Sequence, residues 1–240
     1  MSCSPIVPMR IRQSTGPRWK LATFSGHTIY VEAWFLALVA FFVFSGLQSA
    51  QQLPYQLMWA PILFFGILLH ELGHAAAFKK SGFGTSTIVL QGMGGVAINH
   101  RANPNPNQGI FIALAGPAVT LALALLSFGG LLALNALAPA NAWPLLRHLL
   151  QLSAMVNAFW LLFNLLPIFP MDGGQALFHV LRKRNPQRQA LANVAKISLG
   201  TLMLAAALAL YFLNGGIFIL LILGFFAYTN WQLLEQTRAR

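Results

Sequence analysis

The chain has 240 residues, of which 57% are apolar and only 8% are charged, and its mean hydropathy is +0.65. An average soluble domain carries about 25% charged residues, so this composition excludes a disordered chain and argues against a soluble globular protein. We therefore expect a chain that crosses a lipid bilayer several times.

Six apolar segments are long enough, or nearly long enough, to cross a bilayer as helices. A helical span requires about 20 residues. The segments cover residues 33–48, 55–78, 109–137, 144–170, 192–213 and 216–232. The first and last segments are the shortest, and each would need flanking residues to reach the length of a span. The predicted fold class is an all-α polytopic membrane protein with about six transmembrane helices.

The basic residues predict how these spans are oriented. With six spans, fourteen of the fifteen Lys and Arg residues fall on one side of the membrane and only Arg147 falls on the other. Basic loops stay in the cytoplasm, so both termini are predicted to be cytoplasmic, in what we expect to be the cytoplasmic membrane of a prokaryote. This distribution also explains the net charge of +11 without a nucleic-acid partner.

Two stretches break the helical pattern. Residues 81–100 are rich in Gly, Thr, Val and Ile, which predicts a short membrane-associated β-hairpin after the second apolar segment. Residues 167–174 read PIFPMDGG, in which two prolines would end or kink the fourth helix. The two glycines that follow Asp172 permit a sharp backbone turn there.

The most specific pattern is His70-Glu71-Leu72-Gly73-His74, an H-E-x-x-H motif within the second apolar segment. Residues i and i+4 of a helix project from the same face, so His70 and His74 can bind one Zn²⁺. Glu71 is offset by about 100°, which suits a general base acting on a metal-bound water. The alternative is two packed histidines beside a structural Glu, but ionisable groups are costly within hydrocarbon.

A catalytic zinc commonly takes a third protein ligand. Asp172 is the strongest candidate, because it ends the fourth segment on the same side of the membrane as His74. An Asp before Gly is also common in turns, which is the alternative for this residue. The remaining histidines are more simply explained as packing or interfacial residues; they are His27, His100, His148 and His179.

These motifs resemble the site-2 protease family of intramembrane zinc metalloproteases, peptidase family M50. That family pairs an HExxH helix with a downstream N-x-x-P-x-P-x-L-D-G segment, and Asn164, Pro167 and Asp172 fall at matching spacings here. The run Gly92–Ala97 resembles the family's glycine-containing hairpin, and Ala115-Gly116-Pro117 resembles the A-G-P of its third core helix. The sequence departs from the family where Thr120 replaces a frequent Asn, Met171 replaces a frequent Leu, and the second Pro stands at 170 rather than 169.

The resemblance implies one Zn²⁺ per chain, bound by His70, His74 and Asp172, with Glu71 as the catalytic base. It implies hydrolysis of peptide bonds in or near transmembrane helices of membrane-anchored substrates, for regulated proteolysis or for clearance of signal-peptide remnants. Asn164 is a candidate oxyanion or supporting residue. Three glycines are candidate contacts of an extended substrate, namely Gly92, Gly94 and Gly95. The partners implied are a transmembrane protein substrate and the lipid bilayer, and the oligomeric state stays open.

We expect a single membrane-embedded metalloprotease domain over 1–240, without a PDZ or CBS domain. Residues 1–32 would form a cytoplasmic N-terminal segment, 33–180 the core with the zinc site, and 181–240 a basic loop and two C-terminal spans. One alternative is a catalytically silent metal-containing protein, a pseudoprotease that binds membrane helices, although the intact Glu71 argues against it. A transporter is disfavoured because no internal repeat is visible.

Overall fold

The computed structural model describes residues 17–139, 141–212 and 216–238. The remaining residues lie outside the described part of the chain. They include Arg10, Arg12 and Arg240, which were counted in the predicted orientation of the spans. The helices are α1 (Ala33–Ser45), α2 (Leu53–Gln56), α3 (Trp59–Lys80), α4 (Pro106–Leu137), α5 (Pro144–Leu165), α6 (Asp172–Leu181), α7 (Gln187–Phe212) and α8 (Ile217–Arg238). The strands are β1 (Arg18–Phe24), β2 (His27–Glu32), β3 (Thr87–Gln91) and β4 (Gly94–Ile98).

Within the described residues, four helical segments are long and apolar enough to cross a membrane, so the expected count of six is wrong. These are Ala50–Lys80, Pro106–Leu137, Pro144–Leu165 and Gln187–Tyr211. The chain is thus a multi-pass integral membrane protein. The first predicted span fails because α1 has 13 residues, about 20 Å of helix against about 30 Å of hydrocarbon. Helix α8, which contains the last predicted span, is not among the four segments found in the described residues.

The four strands form one mixed sheet in the order β1-β2-β3-β4. The predicted hairpin after the HExxH segment is confirmed as the antiparallel pair β3–β4, with Val89 opposite Val96. The fold is therefore mostly helical with a small sheet, and not all-α.

The other half of the sheet was not predicted. Strands β1 and β2 form an antiparallel hairpin that turns at Ser25 and Gly26, and β2 then pairs in parallel with β3. A Ser-Gly pair between two runs of β-prone residues indicates a hairpin, and the sequence contains this pattern within residues 18–32.

The sheet packs against α3, the helix that carries the HExxH motif. The shared core joins side chains of β2 and β3 to α1 and α3; its buried members are Ile29, Val31, Phe35, Ile67, Ala75, Ile88 and Leu90. Helix α4 packs on another side of α3, where a Cβ on Gly73 would lie 2.8 Å from the Ala115 carbonyl oxygen. Gly73 therefore allows the two backbones to approach closely enough for side chains of α4 to reach the motif.

Arg147, the one basic residue assigned to the far side, ties α5 to the end of α4. Its Nη2 donates to the carbonyl oxygens of Ala138 at 3.0 Å and Pro139 at 2.9 Å, and its Nε donates to Ala142 O at 2.9 Å. The last carbonyls of a helix have no partner within the helix, so this guanidinium satisfies the Ala138 carbonyl at the end of α4 together with two carbonyls of the loop that follows.

The break predicted at 167–174 is confirmed in position, because α5 ends at Leu165 and α6 begins at Asp172. The sharp turn expected after Asp172 is wrong, since Gly173 and Gly174 form the first turn of α6. These glycines serve close packing instead: a Cβ on Gly173 would lie 2.2 Å from Leu165 O, and one on Gly174 2.5 Å from Ile168 C.

Candidate metal centre

Three ligand-type side chains meet where α3, α4 and α6 come together. His70 and His74 lie one turn apart on α3, and their Nε2 atoms are 3.2 Å apart. Asp172 opens α6, and its Oδ2 lies 3.0 Å from His70 Nε2 while its Oδ1 lies 3.3 Å from His74 Nε2. All three residues are buried, and their ligand atoms lie within 4.8 Å of one another. The fold thus brings together the three residues that the sequence singled out.

Helix α4 fixes the orientation of both imidazoles. His74 Nδ1 lies 2.7 Å from the Ile112 carbonyl oxygen, which can only accept, so Nδ1 carries a proton and Nε2 is the ring nitrogen available to a metal. His70 Nδ1 lies 2.8 Å from Thr120 Oγ1. Because the Thr120 hydroxyl donates to Gly116 O at 3.3 Å, it accepts from His70 Nδ1. Both histidines therefore direct Nε2 to the same point.

The residues at this point fit a zinc ion. Asp172 Oδ2 is buried without a hydrogen-bond partner, so the site offers one carboxylate oxygen and two imidazole nitrogens, a ligand set that zinc accepts. Gly116 keeps the space between them open, because a Cβ there would lie 2.3 Å from His74 Nε2 and 2.7 Å from His70 Nε2.

Glu71 lies beside the three ligands and outside the metal-ligating group. Its side chain is buried, and strand β4 passes directly over it: a Cβ on Gly95 would lie 2.5 Å from Glu71 Cγ and 2.8 Å from Glu71 Oε1. Gly95 thus allows the sheet to approach the carboxylate. A carboxylate held next to a metal ligand set, without joining it, is placed for proton transfer.

The comparison with known families agrees with this geometry. A family model described as peptidase family M50 matches residues 58–142 and 127–205, which is more than half of the chain. The chain belongs to peptidase family M50.

Relatives of this M50 protein include a zinc metalloprotease of Methanocaldococcus jannaschii, 36% identical over 157 residues, which are 62% of this chain and 43% of the relative. Stage IV sporulation protein FB of Bacillus subtilis is 30% identical over 125 residues, which are 52% of this chain and 40% of the relative. The chain spans less than half the length of these curated relatives. The solved structure of the site-2 protease from M. jannaschii is similar with a TM-score of 0.60 and 26% identity, covering 91% of this chain and 95% of that one.

The side-chain hydrogen bond that the structure shows for Asn164 of the M50 protein lies within α5. Its Nδ2 donates to the Trp160 carbonyl oxygen at 3.0 Å, one turn earlier on α5, and within the described residues no hydrogen bond joins it to the motif. A role for Asn164 at the oxyanion stays a prediction.

The other histidines lie outside the metal-ligand group. His27 Nδ1 accepts from the Ser86 N–H at 2.9 Å, His148 packs edge-on against Tyr55, and His100 is exposed. His179 packs against Gly109 of α4. Burial and the Arg182 cation lower the pKa of His179 to about 4, so its imidazole is neutral at physiological pH.

Sequence reasoning missed the supporting residues on α4. Thr120 is fully buried, and the sequence marked it only as a departure from the family pattern. A signal existed, since Thr120 follows Gly116 by one helical turn and so lies on the same face of an otherwise apolar helix.

We expect Thr120→Val to weaken zinc binding by about 10- to 100-fold, because it removes the acceptor for His70 Nδ1 while keeping the side-chain shape. Competition with a chromophoric chelator measures this affinity. Thr120→Ser keeps the hydroxyl and should bind zinc nearly as well as the wild type. Thr201→Val, which removes a hydroxyl bonded only to Ile197 O of its own helix, is the matched control. Equal affinity of Thr120→Val and the wild type would contradict the role of Thr120.

Proposed function

We propose that this chain is an intramembrane zinc metalloprotease that hydrolyses peptide bonds in or near the transmembrane helices of membrane-anchored proteins. The observation that carries the proposal is the buried cluster of His70, His74 and Asp172 with Glu71 beside it, set among helices long enough to span a membrane. The M50 membership of the chain and the zinc metalloproteases among its relatives support it.

The roles of the residues follow from their chemistry. His70, His74 and Asp172 would hold one Zn²⁺, which when bound supplies a Lewis acid and lowers the pKa of a water to about 7. Glu71 would take the proton of the attacking water and pass it to the leaving amine. The imidazoles are held by Thr120 and Ile112 O, so they need no reorientation during the reaction. The burial of these groups limits the access of bulk water to the reacting bond.

Strand β4 is the proposed binding site for the substrate. A transmembrane helix hides its carbonyl groups in its own hydrogen bonds, so the segment to be cleaved must unwind first. β4 lies at one edge of the sheet, and a strand at an edge leaves backbone groups free to pair with an added strand. Because Gly95 passes over Glu71, a substrate paired with β4 would run beside the catalytic carboxylate.

The other glycines of the hairpin have contacts of their own. A Cβ on Gly92 would lie 2.9 Å from Trp34 Cβ, and one on Gly94 would lie 2.8 Å from Trp160 Cη2. We therefore propose Gly95 as the glycine next to the reacting groups, and Gly92 and Gly94 as the residues that seat the hairpin against α1 and α5.

Proline substitutions in β4 test this proposal. Successive N–H groups of a strand point to opposite sides, so one of Val96→Pro and Ala97→Pro removes a donor to β3 and the other removes a donor from the free edge. We expect the free-edge variant to keep its zinc and its Tm but to cleave about tenfold more slowly. Cleavage of a single-span substrate in proteoliposomes gives the rate. Unchanged rates in both variants would contradict substrate pairing with β4.

We propose that the termini and the metal site face the cytoplasm. Lys79 and Lys80 end α3, and the basic run Arg182–Arg184 follows α6, so these residues lie on the side that carries most of the positive charge. His74 precedes Lys80 by six residues, which places the metal about 9 Å from that end of the helix. We further propose that 18–32 belongs to the protease domain, since β2 pairs with β3, and that the chain resides in a prokaryotic cytoplasmic membrane.

Elemental analysis of the detergent-purified protein tests the proposed function. We expect about one zinc per chain in the wild type and a loss of zinc in both His70→Ala and Asp172→Ala. A wild type without zinc after reconstitution would overturn the proposal. Zinc without cleavage of any of a panel of single-span substrates would favour the pseudoprotease instead.

A further inference from the structure

The segment Leu166–Met171 presents Asp172 to the metal site, and the two C-terminal helices enclose it. Three residues of the segment are buried, namely Ile168, Phe169 and Met171. Ile168 and Met171 pack with Leu202 of α7 and Phe226 of α8. Phe169 packs in a second cluster, with Val194 of α7 and Leu233 of α8 among its members.

A serine of α7 holds the backbone of this segment. Ser198 is fully buried, and its Oγ accepts a hydrogen bond from the Phe169 N–H at 2.9 Å. The same hydroxyl lies 2.8 Å from Val194 O in its own helix and 3.2 Å from Pro167 O, and it donates its proton to one of these carbonyls.

An asparagine of α8 holds the other side of the same residue. Asn230 is buried, and its Nδ2 donates to the carbonyl oxygens of Phe169 at 2.6 Å and Phe226 at 2.9 Å. Because both neighbours can only accept, the orientation of the amide is fixed. Asn230 Oδ1 is buried without a hydrogen-bond partner. A buried amide oxygen without a partner lowers the stability of the folded protein. A stabilising effect on α8 alone therefore does not explain why an asparagine is buried at this position.

Phe169 thus has both of its backbone groups bonded to side chains from α7 and α8. Its neighbour Pro170 has no N–H, so the segment has few backbone donors of its own. Gly173 and Gly174 pack directly on the backbone of this segment, because a Cβ on Gly173 would lie 2.5 Å from Leu166 O and one on Gly174 would lie 2.5 Å from Ile168 C. A shift of the segment would therefore move the first turn of α6, and Asp172 with it.

We propose that Ser198 and Asn230 are positioning residues for the metal ligand Asp172. The helix pair α7–α8, which carries no ligand itself, sets the position of the third ligand through the Phe169 backbone. The inference rests on the proposed zinc site and extends it, since it assigns to the C-terminal helices a part in holding the metal.

Four variants test this role without any measurement of turnover. Ser198→Ala and Asn230→Leu remove the two contacts, and Ser198→Thr keeps the hydroxyl. Thr229→Val removes a hydroxyl of α8 that bonds only to Phe226 O at 2.9 Å, and it is the matched control. The readouts are the rate at which the zinc-loaded protein loses metal to a chromophoric chelator, the visible spectrum of the Co²⁺-substituted protein, and the Tm of the metal-free protein.

We expect Ser198→Ala and Asn230→Leu to bind zinc about tenfold more weakly or worse, with faster metal loss and altered Co²⁺ absorption. Ser198→Thr and Thr229→Val should match the wild type in all three readouts. If Asn230→Leu does not fold, the comparison of Ser198→Ala with Ser198→Thr decides. A purely structural role would lower the metal-free Tm and leave the Co²⁺ spectrum of folded protein unchanged, which would overturn the inference.

Failure of this inference is distinguishable from failure of the proposed function. A wild type that retains zinc, with Ser198→Ala and Asn230→Leu variants that lose it no faster, would overturn only the positioning role. A wild type that binds no zinc would overturn the proposed function and the positioning role together.

Discussion

Glu71→Gln is expected to lower the rate of peptide cleavage by about 10²- to 10⁴-fold, while the zinc content stays at about one per chain. The amide has nearly the shape of the carboxylate, so it fits under Gly95, but it cannot accept the proton of the attacking water. The metal ligands are unchanged, because Glu71 lies outside the group formed by His70, His74 and Asp172. Cleavage of a single-span substrate in proteoliposomes, with elemental analysis of the same preparation, measures both quantities.

Glu235→Gln is the matched control for this substitution. Glu235 lies on α8, is exposed, and pairs with Arg238 at 4.0 Å, so its loss should leave cleavage and zinc unchanged. If Glu71→Gln cleaved at the wild-type rate, Glu71 would not be the base. If the variant lost its zinc instead, Glu71 would act as a ligand.

Gly116→Ala is expected to abolish zinc binding although it removes no ligand. The added methyl would lie 2.3 Å from His74 Nε2 and 2.7 Å from His70 Nε2, in the space that a metal bound to them must share. The imidazoles cannot easily turn away, because Thr120 Oγ1 and Ile112 O hold their Nδ1 atoms. Elemental analysis after purification in the presence of zinc measures the loss.

Gly129→Ala, on the same helix, separates this local effect from a general effect of alanine in α4. A Cβ on Gly129 would meet no atom within 4 Å, so this change should leave zinc bound. It should stabilise the helix by about 0.5–1 kcal/mol, because alanine loses less conformational freedom than glycine. Full zinc content in Gly116→Ala would show that α3 and α4 can separate enough to admit the methyl group, and would contradict the close packing described above.

The metal ligands could be predicted because their arrangement is mostly local. The spacing of His70 and His74 matches one turn of a helix, whatever surrounds it. Asp172 required only that two helix ends lie on the same side of a membrane. The supporting partners were not predictable in this way: Thr120, Ser198 and Asn230 act across contacts between helices distant in sequence, and a buried hydroxyl or amide in an apolar helix does not reveal its partner.

The errors in the predicted fold also arise where contacts join segments that are distant in sequence. The hairpin β3–β4 is local and was predicted, whereas the parallel pairing of Ile29 with Ile88 joins segments separated by α1 and α3. The count of six spans failed because apolar composition was read without helix length. Helix α1 ends at Ser45 after 13 residues, which is too short to cross the hydrocarbon.

The parallel pairing of β2 with β3 also constrains the order in which the protein can be built. Ribosomes release β1 and β2 first, but an isolated two-stranded hairpin is marginally stable, and its partner strand β3 emerges only after α3 has been synthesised. The edge strand β4 follows β3, and Asp172 follows later still. A nascent chain therefore carries the HExxH helix before it has a complete sheet or a third ligand, so the group of His70, His74 and Asp172 is complete only after the sheet and α6 have been synthesised.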